Sequence, residues 1–235
     1  MINAFIEKIE HPDNVWFTSD THFWHKNILK YCNRPWESVE EMNEALIRNW
    51  NSVVGPNDDV YHLGDFCFGG VERLESILCA RKDDGTKLLN GRIHLILGNH
   101  DPDRICKSKC AYHAFEEVCF QKCLMIDGWT VFLNHFPYLS FSNNYDHKCM
   151  QLFGHIHSPK ELEFGGNTGV VNYERHKMLQ WNQYDVGVDH NDYTPVQWRQ
   201  VLAMIEHQKV VHEGNVVLQT VAEIENKEKE YGRIE

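Results

Sequence analysis

The chain has 235 residues, 42% hydrophobic and 12% aromatic, which excludes a disordered polymer and suits one large domain with a real core. Its formal charge of −11 sets up a field that repels nucleic acid and anionic membranes, so a long polymer held by phosphate contacts is not the expected partner. No run approaches a membrane span, and the opening MINAFIEKIEHPDN has acids where a leader would need an apolar stretch, so a cytoplasmic protein is expected.

In chain order, NVWFTSD (14–20) is rich in aromatic and β-branched residues and reads as a strand. Ser38 and Glu41 form a capping-box pattern, after which Val39, Met42, Leu46, Trp50 and Val53 recur at helical spacing. Gly55-Pro56-Asn57-Asp58 ends that helix and DVYHLGD follows as a second strand. VERLESILCARK reads as a short amphipathic helix and GRIHLILGNHD as a third strand. CLMI and WTVFLNH flank Asp127-Gly128, a hairpin-turn signal. MQLFGHIH and QYDVGVD read as further strands. The last helix is expected to start with Thr194 as cap and Pro195 at its first position, with Gln197 at the box position. A charged helical tail is expected over about 221–235.

No repeat or linker divides the chain, so a single domain over 1–235 is expected, with its core at about 14–212. Strands alternate with helices early and a hairpin comes late, which predicts an α/β fold of two mixed sheets between helices. Among the eight cysteines, Cys106/Cys110 and Cys119/Cys123 are spaced C-x3-C, whereas zinc knuckles usually use C-x2-C. Reduced, half-buried thiols are expected, with neither a disulfide framework nor a structural zinc.

Polar clusters close the apolar runs, where α/β sheets gather their sites. They are Asp20-Thr21-His22, Gly64-Asp65, Gly98-Asn99-His100-Asp101, Asn134-His135 and Gly154-His155-Ile156-His157. Each alone is commonly a surface turn; five in order point to one metal site. Side chains two apart on an extended strand point the same way, so Asp20 can pair with His22 and His155 with His157. Carboxylate, imidazole and amide donors suit Mn, Fe, Ni or Zn, with Mn favoured. Two dications about 3.5–4 Å apart need a bridging carboxylate, and Asp65 is the natural one. Two dications less two carboxylates and a hydroxide leave about +1 by formal counting, enough for an acidic protein to attract phosphate.

These blocks resemble those of the calcineurin-like metallophosphoesterases, D-x-H, G-D, G-N-H-D, H and G-H-x-H, over residues 20–157. The resemblance implies a four-layer αββα sandwich of two mixed sheets flanked by helices, with a binuclear metal centre. It implies one ion on Asp20, His22, Asp65 and His157 and a second on Asp65, Asn99, His135 and His155. His100 would protonate the leaving alkoxide after attack by the hydroxide bridging the ions, Asp101 would orient the His100 imidazole, and Gly64, Gly98 and Gly154 would let backbone approach the ions. The opening DTHFWHKNILKYCNRPW is similar to that of small stand-alone bacterial and phage phosphoesterases, with Trp24 where a small residue is expected. His25, Lys26 and Arg34 are expected to contact phosphate or base.

The other histidines are given no role; His62 and His94 are expected as hydrogen-bonded core residues, and Trp16 and Trp50 as core. The expected activity is hydrolysis of a small phosphodiester or nucleotide. The other reading is a metal-binding scaffold of the same fold without turnover; a filled set of ligand positions argues against it. The segment 159–182 is expected to line the cleft.

Overall fold

Strand β2 (Val15–Thr18) alternates its side chains as its sequence demands: Val15 and Phe17 point between two sheets, and Trp16 points to the opposite face. The computed structural model describes residues 6–105, 107–141, 148–158 and 179–231; for residues 103, 104 and 215–231 it describes the backbone alone. Strands β3 (Asp59–His62), β4 (Arg92–Ile96) and β5 (Glu117–Cys119) continue from β2 in parallel, and β10 (Val196–Gln197) closes the other edge antiparallel. The second sheet has the order β1-β6-β7-β8-β9, from β1 (Ile6–Lys8), β6 (Gln121–Ile126), β7 (Trp129–Asn134), β8 (Cys149–Phe153) and β9 (Gln183–Asp185). Only β6–β7 is antiparallel there, through the predicted hairpin, whose Asp127 and Gly128 both have positive φ (49° and 80°).

Two apolar layers follow. Phe17, Tyr61, Leu63 and Ile96 meet Leu124, Val131, Leu133, Met150 and Leu152 between the sheets. On the outer face of the first sheet, Val60 and Leu95 meet α2 (Val39–Val53), α3 (Val71–Leu78) and α5 (Lys109–Ala114) through Met42, Leu46, Trp50, Leu74, Ile77 and Ala111. Helix α2 starts as its sequence predicts, with Ser38 Oγ accepting from the Glu41 N–H at 3.1 Å. Short helices α1 (Ile28–Tyr31) and α4 (Pro102–Ile105) fill loops, and α6 (Trp198–Tyr231) packs Trp198, Val201 and Ile205 into the inter-sheet layer. The protein is thus the expected α/β sandwich of two mixed sheets flanked by helices.

Three local expectations are corrected. Thr194-Pro195 does not open the last helix: Val196 and Gln197 first pair with Phe17 and Trp16, and the helix starts at Trp198. Gln197 is its cap, accepting from the Arg199 N–H at 3.2 Å, while Gln200 Oε1 accepts the Gln197 N–H at 2.8 Å. Cys79, at the end of α3, forms a disulfide with Cys110 of α5, so these two thiols are not reduced; Cys119 and Cys123 are free and half-buried, and Cys106 lies outside the described residues. Trp16 is half-buried, with its indole N–H donating to Asp58 Oδ2 at 2.9 Å. Among the described residues, no helix is long and apolar enough to cross a membrane.

Register places the site. Thr18 is level with His62, and His62 with Leu95, so the loops after β2, β3 and β4 leave one end of the first sheet together. Leu133 is level with Leu152, so those after β7 and β8 leave together as well. The bridge between Ser19 and Gly187 ties the two sheets at this end.

Candidate metal centre

Asp20, His22, Asp65, His155 and His157 all have positive φ, between 47° and 70°. This corrects the extended-strand expectation, because the strands end before these residues and tight turns aim their side chains. Left-handed backbone at five non-glycine positions is costly, and it persists here because the turns hold one another. The Asp20 N–H donates to Gly64 O at 2.9 Å, the His22 N–H to Asp65 O at 3.0 Å, and the His155 N–H to Asp20 Oδ2 at 2.9 Å.

The turns bring together all seven residues expected to bind metal. Asp20, His22 and His157 form one group with donor atoms mutually within 4.8 Å, and Asp65, His135 and His155 form another. Asp65 Oδ2 lies between them, 3.5 Å from His22 Nε2 and 3.6 Å from His135 Nε2. Asn99 Oδ1 is 3.0 Å from His135 Nε2. Asp20 Oδ1 and His22 Nε2 are buried with no hydrogen-bond partner among the described residues, an arrangement that leaves both atoms available to a cation.

Protonation is consistent with such a site. Burial, then the nearby His157 and Arg34 charges, hold His22 well below the ordinary imidazole value, so it stays neutral, the form that binds a cation. Burial pulls His157 down as well, yet the charges of Asp20 and Asp189 and the Asp189 hydrogen bond outweigh it and push the imidazole up to about 11. Without an ion, a proton neutralises the carboxylates there; a cation between Asp20 and His157 would take its place.

The supporting residues differ from expectation. Arg34 does not face a substrate: it is buried, and its guanidinium donates to both Asp189 oxygens at 2.8 and 2.9 Å, to Thr21 O and to Asp20 O. His25 is buried too, with Nδ1 3.2 Å from His22 Nδ1 and its ring stacked on Phe68. It therefore fixes which His22 nitrogen points inward. Lys26 is exposed. Asp101 does not orient the His100 imidazole, because its oxygens accept the N–H groups of Asp65, Phe66 and Gly98 at 2.7–2.9 Å and lock the β3 and β4 loops together. Burial pushes this carboxyl up to about 6, Gly98 opposes the shift, and the Asp65 charge adds to it. The Trp24 ring lies towards α3, with its N–H on Ser76 Oγ and Arg73 over its face.

Sequence reasoning missed Asp189. It accepts from His157 Nδ1 at 2.7 Å, which turns Nε2 towards Asp20, 3.7 Å away. His135 is set the same way, its Nδ1 being 2.8 Å from Leu63 O. His62 is the buried, hydrogen-bonded core residue expected, held by Thr21 and Gly64 and pushed down to about 3 by burial. His94 bonds to Asp59 at 3.0 Å. Of the segment 159–182, residues 159–178 lie outside the described residues.

The motif glycines let the loops approach each other. A Cβ on Gly154 would lie 2.2 Å from Asp20 Oδ2, and one on Gly98 would lie 2.3 Å from Asp65 Oδ1 and 2.5 Å from Asp65 N. Gly98→Ala must push the Asp65 loop away, an overpacking cost of about 1–3 kcal/mol. Melting is expected to fall by about 2–4 °C per kcal/mol, together with a loss of bound metal. An unchanged melting temperature with full metal content would show that this close approach is unimportant.

The family model described as calcineurin-like phosphoesterase matches residues 14–219. An uncharacterised protein of Methanocaldococcus jannaschii is 34% identical over 201 residues, covering 86% of this chain and 96% of that protein. The gene 66 protein of Mycobacterium phage L5 is 32% identical over 171 residues, covering 63% of this chain and 80% of its own length. Among solved structures, a protein of unknown function from Aquifex aeolicus is 23% identical and superposes with a TM-score of 0.54, covering 81% of this chain and 98% of that one. That likeness is one of fold.

Proposed function

The chain belongs to the calcineurin-like phosphoesterase family, and on that premise we propose that it is a phosphodiesterase that uses two divalent ions on a small, nucleotide-like substrate. The observation that carries this reading is the position of Asp65 Oδ2 between two donor groups, 3.5 Å from one imidazole and 3.6 Å from the other.

The residues suit such ions. Asp20, His22, Asp65 and His157 would hold one, and Asp65, Asn99, His135 and His155 the other. Mixed oxygen and imidazole donors fit Mn, Fe, Ni or Zn, and the share of carboxylate and amide oxygen favours Mn. Bound there, the ions would supply charge against the phosphate oxygens and make water a better nucleophile at neutral pH. His100 is the proton donor to the leaving oxygen: its side chain is 41% exposed and Nε2 lies 4.0 Å from Asp65 Oδ2, at the mouth of the group. Asp189 and His25 keep the imidazoles turned inward, and Arg34 holds Asp189. One water is consumed, its hydroxyl going to phosphorus and its proton balancing the one His100 gives away. The charge of −11 favours a small substrate over a duplex.

Chelation followed by reloading with Mn or Ni tests this. Activity on a panel of mono- and diesters is expected to vanish with the metal and to return with it, diesters being the better substrates. Turnover indifferent to chelator would refute the reading, as would tight duplex binding with a steep salt slope. Stable metal binding without turnover of any ester would favour the scaffold.

A further inference from the structure

Beside the candidate second ion, Phe136 is 44% exposed. Isolated apolar residues on a surface need no explanation. This one differs in what it touches and how it is held. Its centroid is 4.6 Å from that of His155 and 4.9 Å from that of His135, with both rings edge-on. Its N–H donates to Asn134 Oδ1 at 2.9 Å, and its carbonyl accepts from Nε2 of the fully buried Gln151 at 2.9 Å. The ring is therefore presented on fixed backbone, so little ordering is needed for a ligand to use it.

His100 stands on the other side. Its ring is 5.7 Å from that of His22, in the Asp20/His22/His157 group, whereas Phe136 borders His135 and His155. A diester centred between the groups would send its leaving oxygen towards His100 and keep its other substituent near Phe136.

We propose that Phe136 is a specificity-determining platform on which the substituent retained by phosphorus stacks, and that this substituent carries a nucleobase. The inference rests on the phosphodiesterase reading and narrows its substrate to nucleoside-bearing diesters. An aromatic face binds a base through stacking and needs no positive charge, which suits a chain of net charge −11. Hydrolysis breaks the P–O bond on the His100 side, water supplying the oxygen to phosphorus, and leaves the nucleoside monophosphate on Phe136.

The p-nitrophenyl ester of thymidine 5′-monophosphate and methyl p-nitrophenyl phosphate test this, because they share a leaving group and differ only in what is retained. The wild-type protein should prefer the thymidyl ester. In Phe136→Ala and Phe136→Leu, the thymidyl-to-methyl ratio of kcat/KM should fall roughly tenfold, mainly through KM, as expected for one base losing its stacking partner. Phe136→Trp should keep the ratio. A ratio unchanged in the Ala variant overturns the proposal, as do equal losses on both esters that Trp does not rescue; the latter would make the ring a mere support for His135 and His155. Calorimetry on metal-loaded wild-type protein gives a reading without turnover: thymidine 5′-monophosphate should bind more tightly than methyl phosphate, and equal affinities overturn the proposal. If the thymidine nucleotide binds more tightly but neither ester is hydrolysed, the phosphodiesterase reading fails and the platform stands.

Discussion

Asp65→Asn is expected to retain roughly one divalent ion in place of two and to lose nearly all turnover. The carboxylate oxygen Oδ2 lies 3.5 Å from His22 Nε2 and 3.6 Å from His135 Nε2, where a single negative atom can serve both groups. Unit charges 4 Å apart repel by about 4 kcal/mol at an effective dielectric of 20, and two dications by about four times that. An amide oxygen keeps the geometry but removes the charge that offsets this repulsion. The variant should still fold, because Oδ1, which accepts the His100 N–H at 2.9 Å, has an amide counterpart that can accept the same bond. Metal content per chain after exhaustive dialysis is the measurement, with the melting temperature as the control for folding. Two ions at full occupancy in a folded variant would remove Asp65 from the bridging position.

Local chemistry made much of the frame legible. The Ser38 cap, the apolar spacing through Trp50 and the Asp127-Gly128 turn each lie within one element, and the structure forms all three. The candidate ligand residues stand out in the sequence because their types are unusual at the ends of apolar strands, and the structure brings them together. What was lost depends on partners far along the chain. Arg34 and Asp189 are 155 positions apart, and only their pairing shows that one is a buried clamp and the other orients His157. A cation near a phosphate site invites assignment to the substrate, and burial overturns it. Asp101 follows His100 in sequence, yet the turn sends its carboxylate back to the β3 loop. Spacing paired Cys110 with Cys106, whereas the packing of α3 against α5 brings it to Cys79. The expected helix start at Thr194 gave way because Val196 and Gln197 gain more as an edge strand beside β2. Strands β1 and β5, of three residues each, are too short to show a period.

His100→Ala is expected to keep both ions and to lose about 10²–10⁴ in rate on a nucleoside or alkyl diester, the usual worth of a general acid. The structure separates this residue from the candidate ligand positions. His100 lies outside both donor groups, its side chain is 41% exposed, and its Nε2 is 4.0 Å from Asp65 Oδ2. The backbone N–H bond to Asp65 Oδ1 and the edge contact with Phe68, at 5.3 Å between centroids, fix the imidazole at the mouth of the site. Removing the ring leaves that backbone bond in place, so the Asp65 carboxylate should not move. A leaving alkoxide is strongly basic and needs the proton as its bond breaks, whereas p-nitrophenolate departs nearly as well without it. The loss on a p-nitrophenyl diester should therefore stay within about tenfold, an asymmetry that follows from Brønsted behaviour. Because Asp101 bonds to backbone and not to this imidazole, Asp101→Asn should lower stability without reproducing the asymmetry. Rates on both esters, with metal content measured alongside, decide the matter. Equal losses on the two esters with both ions retained would rule out the acid role, and loss of an ion would make His100 a ligand.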